Sequence, residues 1–202
     1  MNRKYISILL NILIVFFEVI ALFYNLFINH RLYLQYYTEL TNIIGLIVSG
    51  IYVYYLINNK KISKKFSVVK YTSTVCFAIT FLVVFLILTP MSNYNLKAMF
   101  IDGVLLFHHL LCPIISIVSF IFFDEIVGLS KKDTIYSLFL TCIYGIIMIC
   151  LNIFNFVIGP YPFLKVKNQS ILVSLVWLIL IFSISYCVAF FLRFFKSKRV
   201  DK

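Results

Sequence analysis

The sequence predicts an all-α membrane protein, six transmembrane helices packed as one bundle, and three observations carry that prediction. First, 63% of the 202 residues are apolar and 12% are charged, too little polar surface to cover a water-soluble fold. Second, the apolar residues gather into six runs, each close to the roughly 20 residues a bilayer crossing needs. Third, lysines and arginines crowd into alternate connections, a pattern that an even number of crossings explains and five or seven would scramble.

The runs cover approximately residues 5–27, 38–57, 68–89, 103–123, 134–158 and 170–195. Arg3 and Lys4 before the first give it the charge order of a secretory signal. It is too long for one and lacks a small-residue cleavage site, so it reads as a retained helix, ended by Asn29-His30-Arg31. The second is closed by the polar stretch 58–65. The third stops at Pro90 with Ser92-Asn93. The fourth carries Pro113 and stops at Asp124-Glu125, the fifth begins after Asp133 and stops at Gly159-Pro160-Tyr161-Pro162, and the sixth runs into a basic tail. The connections are short, so the whole chain, 1–202, reads as a single integral membrane domain.

Fourteen cations sit on one side: Arg3 and Lys4, then Lys60, Lys61, Lys64, Lys65 and Lys70, then Lys131 and Lys132, then Arg193, Lys196, Lys198, Arg199 and Lys202. Arg31, Lys97, Lys165 and Lys167 are the four on the other. Cytoplasmic flanks retain positive charge during insertion, so both termini are expected in the cytoplasm, N-in and C-in, with the chain in the cell (plasma) membrane. The net charge of +11 is thereby assigned to topology and no nucleic-acid partner is expected, although the tail would also suit anionic lipid headgroups.

On this topology three polar features share the outer side: 37–42 at the start of the second helix, His108-His109 in the fourth, and 159–164 after the fifth. Ionisable groups within a span are expensive and point to function, against the plainer reading of a structural interhelical hydrogen bond. Pro113 cannot donate to the carbonyl four residues back, that of His109, so the helix is expected to open beside the imidazole. Thr38 and Thr41 suit helix capping, and equally a nucleophile whose proton an imidazole removes while helix-start amides hold the oxyanion. Cys112 shares a helix face with the histidines and offers a Cys–His acyl-transfer pair as a rival. Glu18 is the one carboxylate deep in a span, a partner for a histidine or a proton carrier. Adjacent histidines point about 100° apart, and the five cysteines form no C-x-x-C pair, so no metal site is expected.

Taken together, Tyr36-Tyr37-Thr38-Glu39-Leu40-Thr41-Asn42, His109-Leu110-Leu111-Cys112-Pro113, Phe123-Asp124, Ser130-Lys131-Lys132-Asp133 and Tyr161-Pro162-Phe163-Leu164 resemble, in order and spacing over about 33–166, the bacterial Pr6Pr-type six-helix membrane proteins. More remotely they are similar to the androgen-induced and androgen-dependent membrane hydrolases. The resemblance implies a six-helix intramembrane fold and, from the eukaryotic members, hydrolysis of fatty acid esters of hydroxy fatty acids by a threonine and a histidine. The matching residues are Thr38 and His109, with His108 taking the second place if the register against Pro113 shifts by one.

The expected function is therefore an intramembrane lipid esterase: Thr38 as nucleophile, His109 as base and then acid, and Thr41, Asn42, Tyr161 and Phe163 around the substrate. Its partners are membrane lipids and a fatty-acyl substrate, and no cofactor is needed. The alternatives are a non-enzymatic small transporter or lipid-binding subunit that uses Glu18 and the histidines, and a membrane acyltransferase that uses Cys112.

Overall fold

The computed structural model describes residues 2–200, without the side chains of 199 and 200. Of the tail cations, Arg199 (its side chain) and Lys202 lie outside the described residues. Six helices are long and apolar enough to cross a membrane. They are α1 (Arg3–Phe27), α2 (Tyr37–Ile57), α3 (Lys64–Met91), α4 (Leu106–Phe123), α5 (Lys131–Ile153) and α6 (Ile171–Val200). A one-turn helix, Leu96–Phe100, lies between α3 and α4, and no strand occurs among the described residues.

Local chemistry sets the helix starts. Asn2 caps α1 by accepting from the Lys4 amide, Ser63 caps α3 through the Phe66 amide, and Ser130 with Asp133 forms a reciprocal capping box on α5. Differences from the sequence-based spans follow from the same chemistry. With Ser63 as cap, α3 begins four residues early, and it carries Pro90 in its last turn instead of stopping there. Left-handed backbone at Asn93, Tyr94 and Gly103 delays α4 to Leu106, and Asn155, also left-handed, follows the end of α5 at Ile153, short of the expected 158.

The bundle is apolar outside, and its interior sets many buried polar groups beside a hydrophobic core. On α1 the buried residues are Ser7, Asn11, Ile14, Glu18, Ala21 and Asn25, one helical stripe, while Leu9, Phe16, Val19 and Phe23 face outward. The centre is α3, whose most apolar stretch is 61% buried within the protein, against 11% for α6. Gly45 lets α2 approach α3 closely, because a Cβ there would stand 2.2 Å from Phe77 Cζ.

The start of α1 and the end of α6 share one face of the bundle, here the terminal face. Lys4 donates to Asn59 there, Ser7 donates to Asp124, and Lys196 Nζ donates to the Asp124 carbonyl. The distal face carries the connections 28–36, 92–105 and 154–170. Lys70, counted above with the loop cations, lies instead inside α3 with no exposure, its Nζ 3.7 Å from Asp124 Oδ2. Asn11 accepts from Lys70 at 2.7 Å, while Asp124 Oδ1 accepts from Ser7, Ser119 and Asn11 at 2.7, 2.6 and 3.1 Å. This cluster joins α1, α3 and α4. The interhelical hydrogen bonds of α6 lie in its terminal half: Tyr71 to the Ala189 carbonyl, Arg193 to Thr134, and Lys196 to Asp124. Among the described residues, none ties 171–185 to another spanning helix.

Candidate functional site

The first turn of α2 is capped by the extended backbone of Tyr36 with no side-chain cap, so Thr38 does not serve as the cap. Its hydroxyl lies 3.3 Å from the Tyr161 phenol, and its amide donates to the same oxygen at 3.5 Å. Its carbonyl accepts from Thr41 Oγ1 at 3.1 Å and Asn42 Nδ2 at 2.7 Å. Because the phenol oxygen accepts from the amide, its own proton is free for Thr38 Oγ1. Burial pushes the Tyr161 pKa above its ordinary value, so it stays a proton donor at neutral pH.

The distal loop 154–170 carries Tyr161 to this position. Gly159 permits the loop's tight fold, since a Cβ there would lie 2.5 Å from the Leu164 carbonyl oxygen. Tyr36 packs edge-on to Tyr161 at 5.9 Å, and Phe163 stacks on it at 5.1 Å.

Below these side chains lies a cavity of about 390 Å³, walled by α2, α3, α5, α6 and the distal loop. Ile79, Val83, Leu138, Trp177 and Ile181 form much of its wall, and Thr38, Tyr161 and Phe163 close its distal end. Thr80 and Thr141 add hydroxyls along the wall, but these are already engaged with Thr41 and Tyr37. From Ser174 to Ser185 along α6 the wall spans about 16 Å, half the thickness of a hydrocarbon core. Its volume falls within the range of small-molecule sites.

The histidines lie elsewhere. Leu106–Leu111 widen into a π-helical turn in which the Cys112 amide donates to the Phe107 carbonyl, five residues back. The backbone before Pro113 thus accommodates the missing donor by widening over the whole turn. His109 Nδ1 is 2.6 Å from the Met99 carbonyl oxygen, which can only accept, so Nδ1 carries the proton and Nε2 the lone pair. The imidazole of His109 is not part of the cavity wall, and no hydrogen bond joins it to Thr38.

His108 turns the other way, with Nε2 3.3 Å from Glu18 Oε2 and Nδ1 3.8 Å from Glu39 Oε2. Asn25 donates to both Glu39 oxygens at 3.1 Å, and Asn29 donates to Asn25 at 3.0 Å. Cys112 sits beside Glu18 and is fully buried. Glu18, Glu39, Asn42 and His108 line a second, much smaller cavity.

The structure therefore divides the sequence-derived candidates. Thr38, Tyr161 and Phe163 meet at one cavity, with Thr41 behind them. Glu18, His108 and Asn42 meet at another, with Cys112 alongside, and His109 stands apart on the Met99 carbonyl. Glu39 and the Lys70–Asp124 pair were not among the candidates. The signal for them was present in the spacing of Asn11, Asn25 and Glu18, seven residues apart along one face of α1.

Fold and site together define a multi-pass, all-α membrane protein with an apolar hollow and buried ionisable clusters. Comparison with known proteins finds no relative: no family model, curated protein or solved structure matches the chain.

Proposed function

We propose that the protein binds the acyl chain of a membrane lipid in the apolar cavity, as a lipid-binding membrane protein whose Thr38–Tyr161 pair holds the polar end of the ligand. The observation that carries this reading is the form of the cavity, an apolar hollow ending on two mutually hydrogen-bonded hydroxyls. The charge asymmetry supports placing both termini in the cytoplasm, with the distal face pointing outward from the cell membrane. A chain from the outer leaflet can then enter with its ester group level with Thr38. This reading needs no cofactor.

Gly145 supplies a clean test, because it lines the cavity and a Cβ there meets nothing within 4 Å. Gly145→Trp is expected to fill the hollow without disturbing the helices and to lower labelling by a photoreactive fatty acid ester about tenfold, roughly 1.4 kcal/mol. Undiminished labelling in a folded Gly145→Trp protein would remove the binding proposal.

Ester hydrolysis at Thr38 is the second reading, favoured by the position of that hydroxyl at the polar end of the cavity and in the first turn of α2, where free amides can hold an oxyanion. It requires His109 Nε2 to reach the hydroxyl, whereas in this conformation Thr38 has a phenol as partner and not a base. Hydrolysis predicts that the purified protein cleaves hydroxy-fatty-acid esters and reacts with a fluorophosphonate probe. Both are expected to fall at least about a hundredfold in Thr38→Ala and in His109→Ala, the scale of losing a general base. Probe labelling that persists in both variants rules out this chemistry and leaves binding intact.

A further inference from the structure

The small cavity between α1, α2 and α4 has about 10 Å³ of room, close to that of one water molecule. Its polar lining is short of donors. Glu18 Oε1 and Asn42 Oδ1 are buried oxygens without a hydrogen-bond partner, on residues 3% and 1% exposed. Unpaired buried acceptors are costly, and two beside one void mark a place built for something that donates or is positively charged.

Charge makes the same demand. From α1 comes Glu18, from α2 Glu39, and from α4 His108, with the Cys112 thiol next to Glu18 and His109 turned to the Met99 carbonyl. The charged residue buried in α3, Lys70, is engaged with Asp124 in the terminal cluster. Among the described residues no lysine or arginine pairs with Glu18 or Glu39. Even a doubly protonated His108 offsets one carboxylate of the two. A surplus negative charge at this depth carries a penalty of several kcal/mol, so one further positive charge belongs in the site.

We propose that Glu18, Glu39, Asn42 and His108 form an intramembrane binding site for one small monovalent cation, a proton or a sodium ion. Carboxylate and amide oxygens are the hard donors such a cation takes. A polar route leads from it toward the distal face: exposed Asn29 bonds Asn25, Asn25 bonds Glu39, and Glu39 and Glu18 flank His108. On the terminal side the route is closed by Ile14, Phe77 and Cys112, all fully buried, which separate this site from the Lys70–Asp124 cluster. The site thus has its polar connection on the distal side and shares no lining residue with the acyl-chain cavity, although Asn42 also donates to the Thr38 carbonyl.

The test uses the full-length protein in detergent, with choline replacing sodium at constant ionic strength. Binding of radioactive sodium and thermal unfolding, followed by Trp177 fluorescence, are measured from pH 5 to 9. For a sodium site, about one ion binds per chain, protons displace it, and the binding is lost in Asn42→Leu and Glu18→Gln. For a proton site, no sodium binds, and the unfolding constant falls about tenfold for each unit of acidification across the titration of the site, a slope absent from Glu18→Gln. Glu39→Gln replaces Glu18→Gln if the latter does not fold. No sodium binding, together with the same pH dependence in wild type and in both glutamate variants, overturns the proposal.

Discussion

Asp124→Ala is expected to lower stability by about 3–5 kcal/mol, the scale of stranding a buried charge. Lys70 has no exposed surface, and its ammonium group lies against Asn11 and Asp124, so removal of the carboxylate leaves a cation at the bundle interior. Ser7, Ser119 and Asn11 lose their common acceptor in the same step, each a further hydrogen bond worth about 1 kcal/mol. The damage falls on α1, α3 and α4 together. Unfolding by denaturing detergent, monitored by Trp177 fluorescence, measures the loss. Combining Asp124→Leu with Lys70→Met is expected to recover most of it, since replacing a buried ion pair with packed apolar side chains is often neutral or stabilising. A double variant as unstable as Asp124→Ala would mean that the cost lies in the shape of the site and not in its charge.

Gly45→Ala should be the next most damaging change, at about 1–3 kcal/mol, although it adds a single methyl group. The added Cβ would fall 2.2 and 2.4 Å from two ring carbons of Phe77, and something must move. Phe77 has no exposure and is wedged against Ile14 and Cys112, so the ring has nowhere to go and α2 must retreat from α3 instead. Pairing Gly45→Ala with Phe77→Leu, which shortens the opposing side chain, is expected to restore part of the loss. The same detergent titration reads both variants, and purely additive losses would show that the two residues do not oppose one another.

Much of the architecture was legible in the sequence because bilayer insertion depends on length and apolarity, which local composition records directly. All six crossings correspond to apolar runs, and the errors lie at the ends, where left-handed Asn93 and Asn155 or the Ser63 cap decide the boundary. The candidate site was legible only in part. Thr38 lies more than 120 residues from Tyr161 and Phe163 yet lines one cavity with them, as their shared side of the membrane implied. What sequence spacing could not supply was the rotation of α4. The π-helical turn at Leu106–Leu111 sends His108 toward the carboxylates and His109 toward Met99, a twist set by how the widened helix packs against its neighbours. Lys70 was misread for a related reason: four lysines precede it, and only the position of Asp124 across the bundle shows that it points inward.

The fastening of α6 at a single end has a consequence for traffic. A rod bolted at its base and held elsewhere by apolar packing alone is, on the proposed binding reading, where a door onto the leaflet would form. If the cavity takes an acyl chain, as proposed, a lipid would slide in sideways without leaving the bilayer, and occupancy is then expected to follow its abundance within the membrane plane and be indifferent to its solubility in the surrounding fluid.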